Sequence, residues 1–209
     1  MDKNHALNCK RGGIVKQGHD QIRDVVAGLA RQAFAGVVVE PVIREGTAEQ
    51  PGLIADIKVN GVWDRDWASL TRLRIVNAGA DSYSTRDWDT VARETARAKH
   101  WKYDLAAEDL HGSFSPLITS CEGVLHQEFK SFCRRLVDCL ADKWEKPRSV
   151  VAEFVCIKLQ IGTIRAVSLR LRGSRRPLRH QGYGENRQAD REEEALRVED
   201  SAPLPLQTN

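Results

Sequence analysis

Apolar residues recur every three or four positions in four stretches of the chain, which is the spacing that places side chains on one face of an α-helix. These stretches cover residues 19–34, 87–110, 127–144 and 150–171. The last stretch is apolar on most sides, so we expect that helix to pack in the interior. In the second stretch the expected buried face carries Trp88, Val91, Ala98, Trp101 and Leu105.

Four short runs rich in β-branched residues are bounded by glycine and proline, which is typical of β-strands. Three runs, "VVVEPVIRE", "LIADIKV" and "LTRLRIV", lie between the first two helices, and "SFSPLIT" follows the second helix. They predict strands at residues 37–45, 53–59, 71–76 and 114–119, with the second strand central. The order of elements predicts an α/β fold, in which helices flank a mixed sheet and two long helices end the domain.

Beyond residue 172 the helical periodicity stops, and the sequence becomes rich in Arg, Gly and Pro and then in Glu. Such a segment buries too little apolar surface to offset the entropy lost on ordering. We therefore expect a folded domain over residues 19–172 and a disordered, charged tail over residues 173–209.

The composition places few limits on function. Charged residues make up 29% of the 209 positions, but the net charge is only +3, which permits a polyanionic partner without requiring one. Five scattered cysteines are typical of reduced thiols inside the cell. No signal peptide is visible, nor the run of about 18–20 apolar residues that a membrane span needs. We expect a soluble, cytoplasmic or nuclear protein that does not bind membranes.

Asp56 stands in the middle of an otherwise apolar predicted strand. A buried carboxylate is costly unless it is paired with a cation or holds a metal. A two-carboxylate metal site would have Asp or Glu on the next strand, followed two residues later by Lys, but the chain has Arg72 and Arg74 there. The residues leave open a structural ion pair and an altered metal site.

Seven phrases of the sequence occur in the same order as in one known family. They are "HALNCKRGG", "GHDQIRD", "EPVIRE", "ADIKVNGVW", "ADSY", "SFSPLITSCEG" and "LRLRGSR". The chain resembles, over roughly residues 5–176, the domain that follows the reverse transcriptase in retroelement polyproteins of the non-long-terminal-repeat type. This resemblance implies a restriction-endonuclease-like, PD-(D/E)XK fold that nicks target DNA, preceded by a small zinc knuckle.

The resemblance also implies site residues. Asp56 matches the family's strand carboxylate, Glu40 matches the acid of its "EP" pair, and Lys99 matches the lysine on the helix after the sheet. These three are the implied catalytic residues. Asp56, Glu40 and Asp24 are the implied ligands of Mg²⁺, if the site is active. Further matches are His19 and Arg23 on the first helix and Tyr103 near Lys99.

Two residues of the family's pattern are missing. Its helix glutamate falls on Gln21, and its second-strand aspartate falls on Arg72, where a cation both removes a ligand and repels the ion. A metal site would need another carboxylate, and the candidates are Glu40, Asp24 and Asp66. We expect instead a degenerate site, in which Arg72 or Arg74 pairs with Asp56.

His5 and Cys9 form half of a four-ligand zinc pattern, whose other two cysteines would lie upstream of Met1. Two ligands do not make a structural zinc site. We therefore expect residues 1–18 to be the remnant of a zinc-knuckle-like segment that binds no zinc in this chain.

Basic residues on the predicted helices are candidates for phosphate contacts. They are Lys102, Arg134, Arg135 and Arg165, and Trp63 and Trp67 are candidates for base stacking. The first functional hypothesis is an endonuclease-like domain that binds target DNA and accompanies a reverse transcriptase, with a degenerate metal site. The alternative is a non-catalytic descendant that binds nucleic acid or protein, or a decayed reading frame without a selected role.

Overall fold

A computed structural model describes residues 7–8, 13–48, 51–83 and 85–172. The principal helices are α1 (Ile14–Ala33), α2 (Trp88–Glu108), α3 (Gln127–Trp144) and α4 (Arg148–Arg172). The strands are β1 (Val38–Val39), β2 (Val42–Arg44), β3 (Leu53–Ile54), β4 (Ile57–Asn60), β5 (Ala68–Val76) and β6 (Gly112–Ser120). The α/β class, the order of the elements and the two long final helices of the predicted domain are confirmed.

The main sheet has the strand order β1-β4-β5-β6. Strand β4 runs antiparallel to both β1 and β5, whereas β5 and β6 are parallel and α2 connects them. The sheet is therefore mixed, as predicted, and β4, which directly follows Asp56, lies in its interior.

Two of the predicted strands are interrupted, so residues 37–45 and 53–59 do not form single strands. The first breaks at Glu40 and Pro41, where Glu40 has a φ of 51° and the proline lacks an N–H for the ladder. Strands β2 and β3 form a separate two-stranded sheet. Across the break, Glu40 N donates to Asp56 O at 2.9 Å and Ala55 N donates to Pro41 O at 3.0 Å, which keeps the two segments paired.

Helices cover both faces of the main sheet. Leu73 and Ile75 of β5 share a core with α1, α3 and α4, together with Leu117 of β6. The alternate positions Leu70 and Val76 pack in two smaller clusters with residues of α2. Because successive side chains of a strand point to opposite faces, α2 forms one layer and the other three helices form the second.

The face of α2 that packs on the sheet differs from the predicted one. Its buried residues are Val91, Ala92, Ala96, Tyr103, Ala106 and Ala107. Trp101 is 84% exposed and Leu105 is 72% exposed, and Ala98 is exposed as well. Small alanines let the helix lie close to the strands, and Tyr103 stacks on Phe114 with ring centroids 4.8 Å apart.

Helix α4 is buried on one face only, so the prediction that it packs in the interior is wrong for the other face. Its buried side contacts α1 so closely that a Cβ on Gly18 would lie 3.0 Å from the carbonyl oxygen of Ala166. On the opposite side, isoleucines such as Ile164 are exposed. In the described part of the chain, no helix combines the length and the apolar character needed to cross a membrane.

Residues 1–6, 9–12 and 173–209 lie outside the described residues. The predictions for His5, Cys9 and the tail therefore stay predictions.

Candidate functional site

Asp56 lies in a bend between β3 and β4 and is 2% exposed. Its backbone is fixed on both sides, because its N–H donates to Thr71 O at 2.9 Å and its carbonyl oxygen accepts from Glu40 N at 2.9 Å. The carboxylate is therefore held at a defined position beside β5.

Residues of β5 bind both oxygens of this carboxylate. Arg72 Nη1 lies 2.9 Å from Asp56 Oδ1, and the backbone N–H of Leu73 donates to Oδ2 at 2.5 Å. The same guanidinium nitrogen donates to Ile54 O at 3.3 Å. The predicted ion pair between Asp56 and an arginine of the neighbouring strand is confirmed, and the arginine is Arg72.

His19 approaches the same carboxylate from α1. Its Nε2 lies 3.2 Å from Asp56 Oδ2 and 3.2 Å from Leu73 O, and its Nδ1 lies 3.4 Å from Asp20 Oδ1. An imidazolium can donate through both ring nitrogens, so these acceptors favour the charged ring. We call Asp56, Arg72, His19 and the Leu73 amide the Asp56 cluster.

The ionisation of the Asp56 cluster follows from these contacts. Burial by itself raises the pKa of Asp56, but the hydrogen bond and charge of His19, the charge of Arg72 and the Leu73 amide together lower it. Burial lowers the pKa of His19, but the hydrogen bond and charge of Asp56 outweigh it, and the net pKa is raised. The contacts of the cluster thus favour an ionised carboxylate and a charged imidazole ring.

Glu40 and Asp24, the other two candidate metal ligands, both bind Arg23 of α1. Arg23 Nη1 lies 2.5 Å from Glu40 Oε1, and Arg23 Nε donates to Asp24 Oδ1 at 3.0 Å. Asp20 links the contacts of Arg23 to the Asp56 cluster, because it lies 3.0 Å from Arg23 Nη1 and also contacts His19. Arg23 is itself buried, so it neutralises carboxylates that a metal would otherwise need.

These residues do not fit a Mg²⁺ site as they are arranged. Magnesium requires several oxygen ligands in nearly octahedral geometry, whereas the oxygens of Asp56 face N–H donors and cationic groups. Within residues 7–8, 13–48, 51–83 and 85–172, no three His, Cys, Asp or Glu side chains form a group that could hold a metal ion. Arg72 and His19 bind Asp56 instead, and Arg23 binds Glu40 and Asp24.

Lys99, the third implied catalytic residue, lies on α2 and is half-buried. It precedes Tyr103 by one helical turn, and the Tyr103 hydroxyl donates to Ile54 O at 3.4 Å. This carbonyl also accepts from Arg72. The helix of Lys99 therefore contacts the Asp56 cluster through Tyr103 and Ile54.

The four candidate DNA-binding cations lie in both helix layers. Lys102 is on α2, Arg134 and Arg135 are on α3, and Arg165 is on α4. Arg135 has a structural contact, because its Nε donates to Val62 O at 2.7 Å. It thereby holds the loop of residues 61–67, in which Trp63 and Trp67 are about half exposed.

This loop lies at the far end of β4 from Asp56. Four strand residues separate Asp56 from the loop, which corresponds to about 13 Å at roughly 3.3 Å per residue. The side chain of Trp63 nevertheless contacts the sheet, because its Nε1 donates to Ser115 Oγ of β6 at 3.2 Å.

A second histidine cluster was not predicted from the sequence. His100 Nδ1 lies 2.8 Å from Asp104 Oδ1, and His100 Nε2 lies 3.0 Å from Glu128 Oε2. The spacing of His100 and Asp104, one turn apart on α2, is the sequence signal for the first contact. Glu128 is at the start of α3, 28 residues away, so the second contact depends on how the helices pack.

No protein-family model matches the chain, and no curated protein matches it either.

Proposed function

We propose that this protein is a non-catalytic, DNA-binding domain of retroelement origin, derived from a restriction-endonuclease-like nuclease. Its ancestral catalytic carboxylate, Asp56, stabilises the fold instead of holding Mg²⁺. The partner is double-stranded target DNA, and an associated reverse transcriptase is the second candidate partner.

The main support for the proposed loss of catalysis is the 2.9 Å ion pair between Arg72 and Asp56. A divalent ion at Asp56 would have to displace a guanidinium from a buried carboxylate. It would also meet the repulsion of both Arg72 and His19. Because Arg72 occupies the position where the family has its second carboxylate, displacement of the arginine would still leave the ion without that ligand.

The surface supports binding to DNA. Lys102 offers a cation on one helix layer, and Arg134 and Arg165 offer cations on the other. Two half-exposed tryptophans lie on a loop that Arg135 anchors. Phosphate contacts by such cations give an affinity that falls steeply as the salt concentration rises. The proposed binding therefore needs no metal ion.

The test is fluorescence anisotropy with a labelled DNA duplex in the presence of EDTA. We expect binding that weakens with added salt. The combined variant Lys102→Glu and Arg134→Glu should weaken binding by tenfold or more, because two phosphate contacts become repulsive. Arg135 is left unchanged in this variant because it holds Val62.

Lys16→Glu combined with Arg31→Glu is the matched control, since it makes the same two charge reversals at exposed positions of α1. It should change the affinity much less than the combined variant. Equal weakening by the control would show a general charge effect, and no binding by the unmodified protein would contradict the proposed function.

A further inference from the structure

Helix α4 carries a row of exposed apolar residues along its whole length. They are Val150, Ile157, Ile161, Ile164 and Leu171, and each is 43–63% exposed. Scattered exposed apolar residues are normal on a protein surface, but a continuous row marks an interaction site. We call these five residues the α4 stripe.

The spacing of the stripe is that of a coiled-coil seam. Val150, Ile157, Ile164 and Leu171 follow one another at intervals of seven, and Ile161 lies four residues after Ile157. Apolar residues that recur every seven positions over three heptads, with an intervening apolar residue in the middle heptad, form a face against which a second helix can pack. At 1.5 Å per residue the stripe is about 30 Å long.

The stripe lies on the side of α4 that faces away from the rest of the domain. At 100° per residue, the buried residues Val155, Leu159 and Ala166 fall on the opposite side of the helix. A second helix can therefore approach the stripe without displacing α1 or α3. The helix has two apolar faces, of which the described residues cover one.

We propose that the α4 stripe is a dimer interface, in which α4 packs in parallel against α4 of a second copy of this chain. The proposal goes beyond DNA binding, because it rests on the stripe and not on the cations used to test that function. A two-fold axis along the pair would bring each stripe residue against its own counterpart.

The charges beside the stripe select the parallel orientation. On one side lie the cations Lys158, Arg165 and Arg172, and on the other lies Glu153. In a parallel pair, a residue on one flank faces the residue five positions later on the opposite flank of the partner helix. Glu153 then faces Lys158 of the second copy, and the symmetry repeats this contact.

An antiparallel pair would have the opposite electrostatics. It would place the row of Lys158, Arg165 and Arg172 against the same row of the second copy. Like charges in such positions repel. The distribution of charge therefore favours a parallel pair of identical helices.

Analytical ultracentrifugation of the full chain tests self-association. We expect a dimer at micromolar concentration, and a monomer for the combined variant Ile157→Glu and Ile164→Glu. Both positions are exposed, so the thermal midpoint of the domain should not fall on account of lost core packing. Leu105→Glu, an exposed apolar position on α2, is the matched control and should remain dimeric.

A monomeric unmodified protein overturns the proposal, as does a dimer that survives the two substitutions in the stripe. If the unmodified protein is a monomer, another segment of this chain or a different protein covers the α4 stripe.

A cysteine at the start of the stripe tests the orientation. Val150→Cys in a Cys156→Ser background should form an intermolecular disulfide under mild oxidation, because parallel helices bring the two copies of this position together. In an antiparallel pair the same two positions lie about 30 Å apart. A dimer that gives no disulfide here, but is disrupted by the stripe variant, overturns the parallel arrangement.

Discussion

Two histidines of this protein bind carboxylates from other parts of the chain, but their surroundings differ. His19 binds Asp56, which is 2% exposed and also binds Arg72. His100 lies between Asp104 and Glu128, whose side chains are 48% and 34% exposed. Water screens the second group of charges and hardly reaches the first.

The two sites differ in how the charge of each carboxylate is stabilised. Asp56 cannot be solvated, so its charge depends on Arg72, His19 and the Leu73 amide. Asp104 and Glu128 retain contact with water and gain only modestly from His100. The same pair of residue types is therefore a structural requirement at one place and a minor contact at the other.

Asp56→Ala should produce the largest effect. It removes the buried carboxylate that both Arg72 and His19 contact, and we expect a loss on the order of 3–5 kcal/mol in the free energy of unfolding. Urea denaturation followed by circular dichroism measures it. Asp104→Ala is the matched control and should cost about 1 kcal/mol or less.

The combined variant Asp56→Ala and Arg72→Leu tests whether the charge of Arg72 causes that loss. It should be more stable than Asp56→Ala alone, because an apolar side chain needs no counter-charge. If the two variants are equally unstable, the cost lies in the backbone contacts of the bend and not in the ion pair.

The second largest effect expected is the pH dependence of stability, which should differ between His19 and His100. The pKa of His19 is raised in the fold, so its contribution is fully present below the unfolded value of about 6.5 and is lost as the pH rises through the folded value. The pKa of Asp56 is lowered, so its contribution is present above about 3.9 and is lost as the pH falls through the folded value.

Denaturation at a series of pH values between 5 and 9 should therefore show stability falling on the alkaline side. His19→Gln should flatten this fall, because glutamine does not titrate. A fall of unchanged slope in His19→Gln would assign the effect to other groups.

His100→Gln should have the smallest effect, with a loss of about 1 kcal/mol or less. Burial lowers the pKa of His100, but its bonds to Asp104 and Glu128 raise it overall, so its contribution is also lost on the alkaline side. The change of slope in His100→Gln should be smaller than that in His19→Gln. The reverse order would contradict the comparison of the two clusters.

The parts of the fold that the sequence predicted best have a single apolar face. Helix α3 matches its predicted range of residues 127–144, because one stripe of large apolar side chains determines how it packs. For helix α2 the pattern predicted the wrong buried face, because its bulky Trp101 is exposed while alanines pack on the sheet. Alanine is a weak signal for burial in a sequence, although it permits the closest packing.

For the candidate site, the ion pair was predictable and the rest was not. The sequence placed Asp56 and Arg72 on neighbouring strands, and opposite charges at such positions pair. The contact of His19 with Asp56 depends on how α1 crosses the sheet. The contact of Arg23 with Glu40 depends on the backbone break at Pro41, which periodicity does not reveal.

The central claim is that Asp56 is bound by Arg72 and not by a catalytic metal. It is tested most directly by incubating the purified protein with supercoiled DNA and either Mg²⁺ or Mn²⁺, and measuring conversion to nicked circles. We predict no nicking above that of a matched Asp56→Ala preparation. Metal-dependent nicking by the unmodified protein that is abolished in Asp56→Ala, with the fold of that variant intact by circular dichroism, would contradict the account.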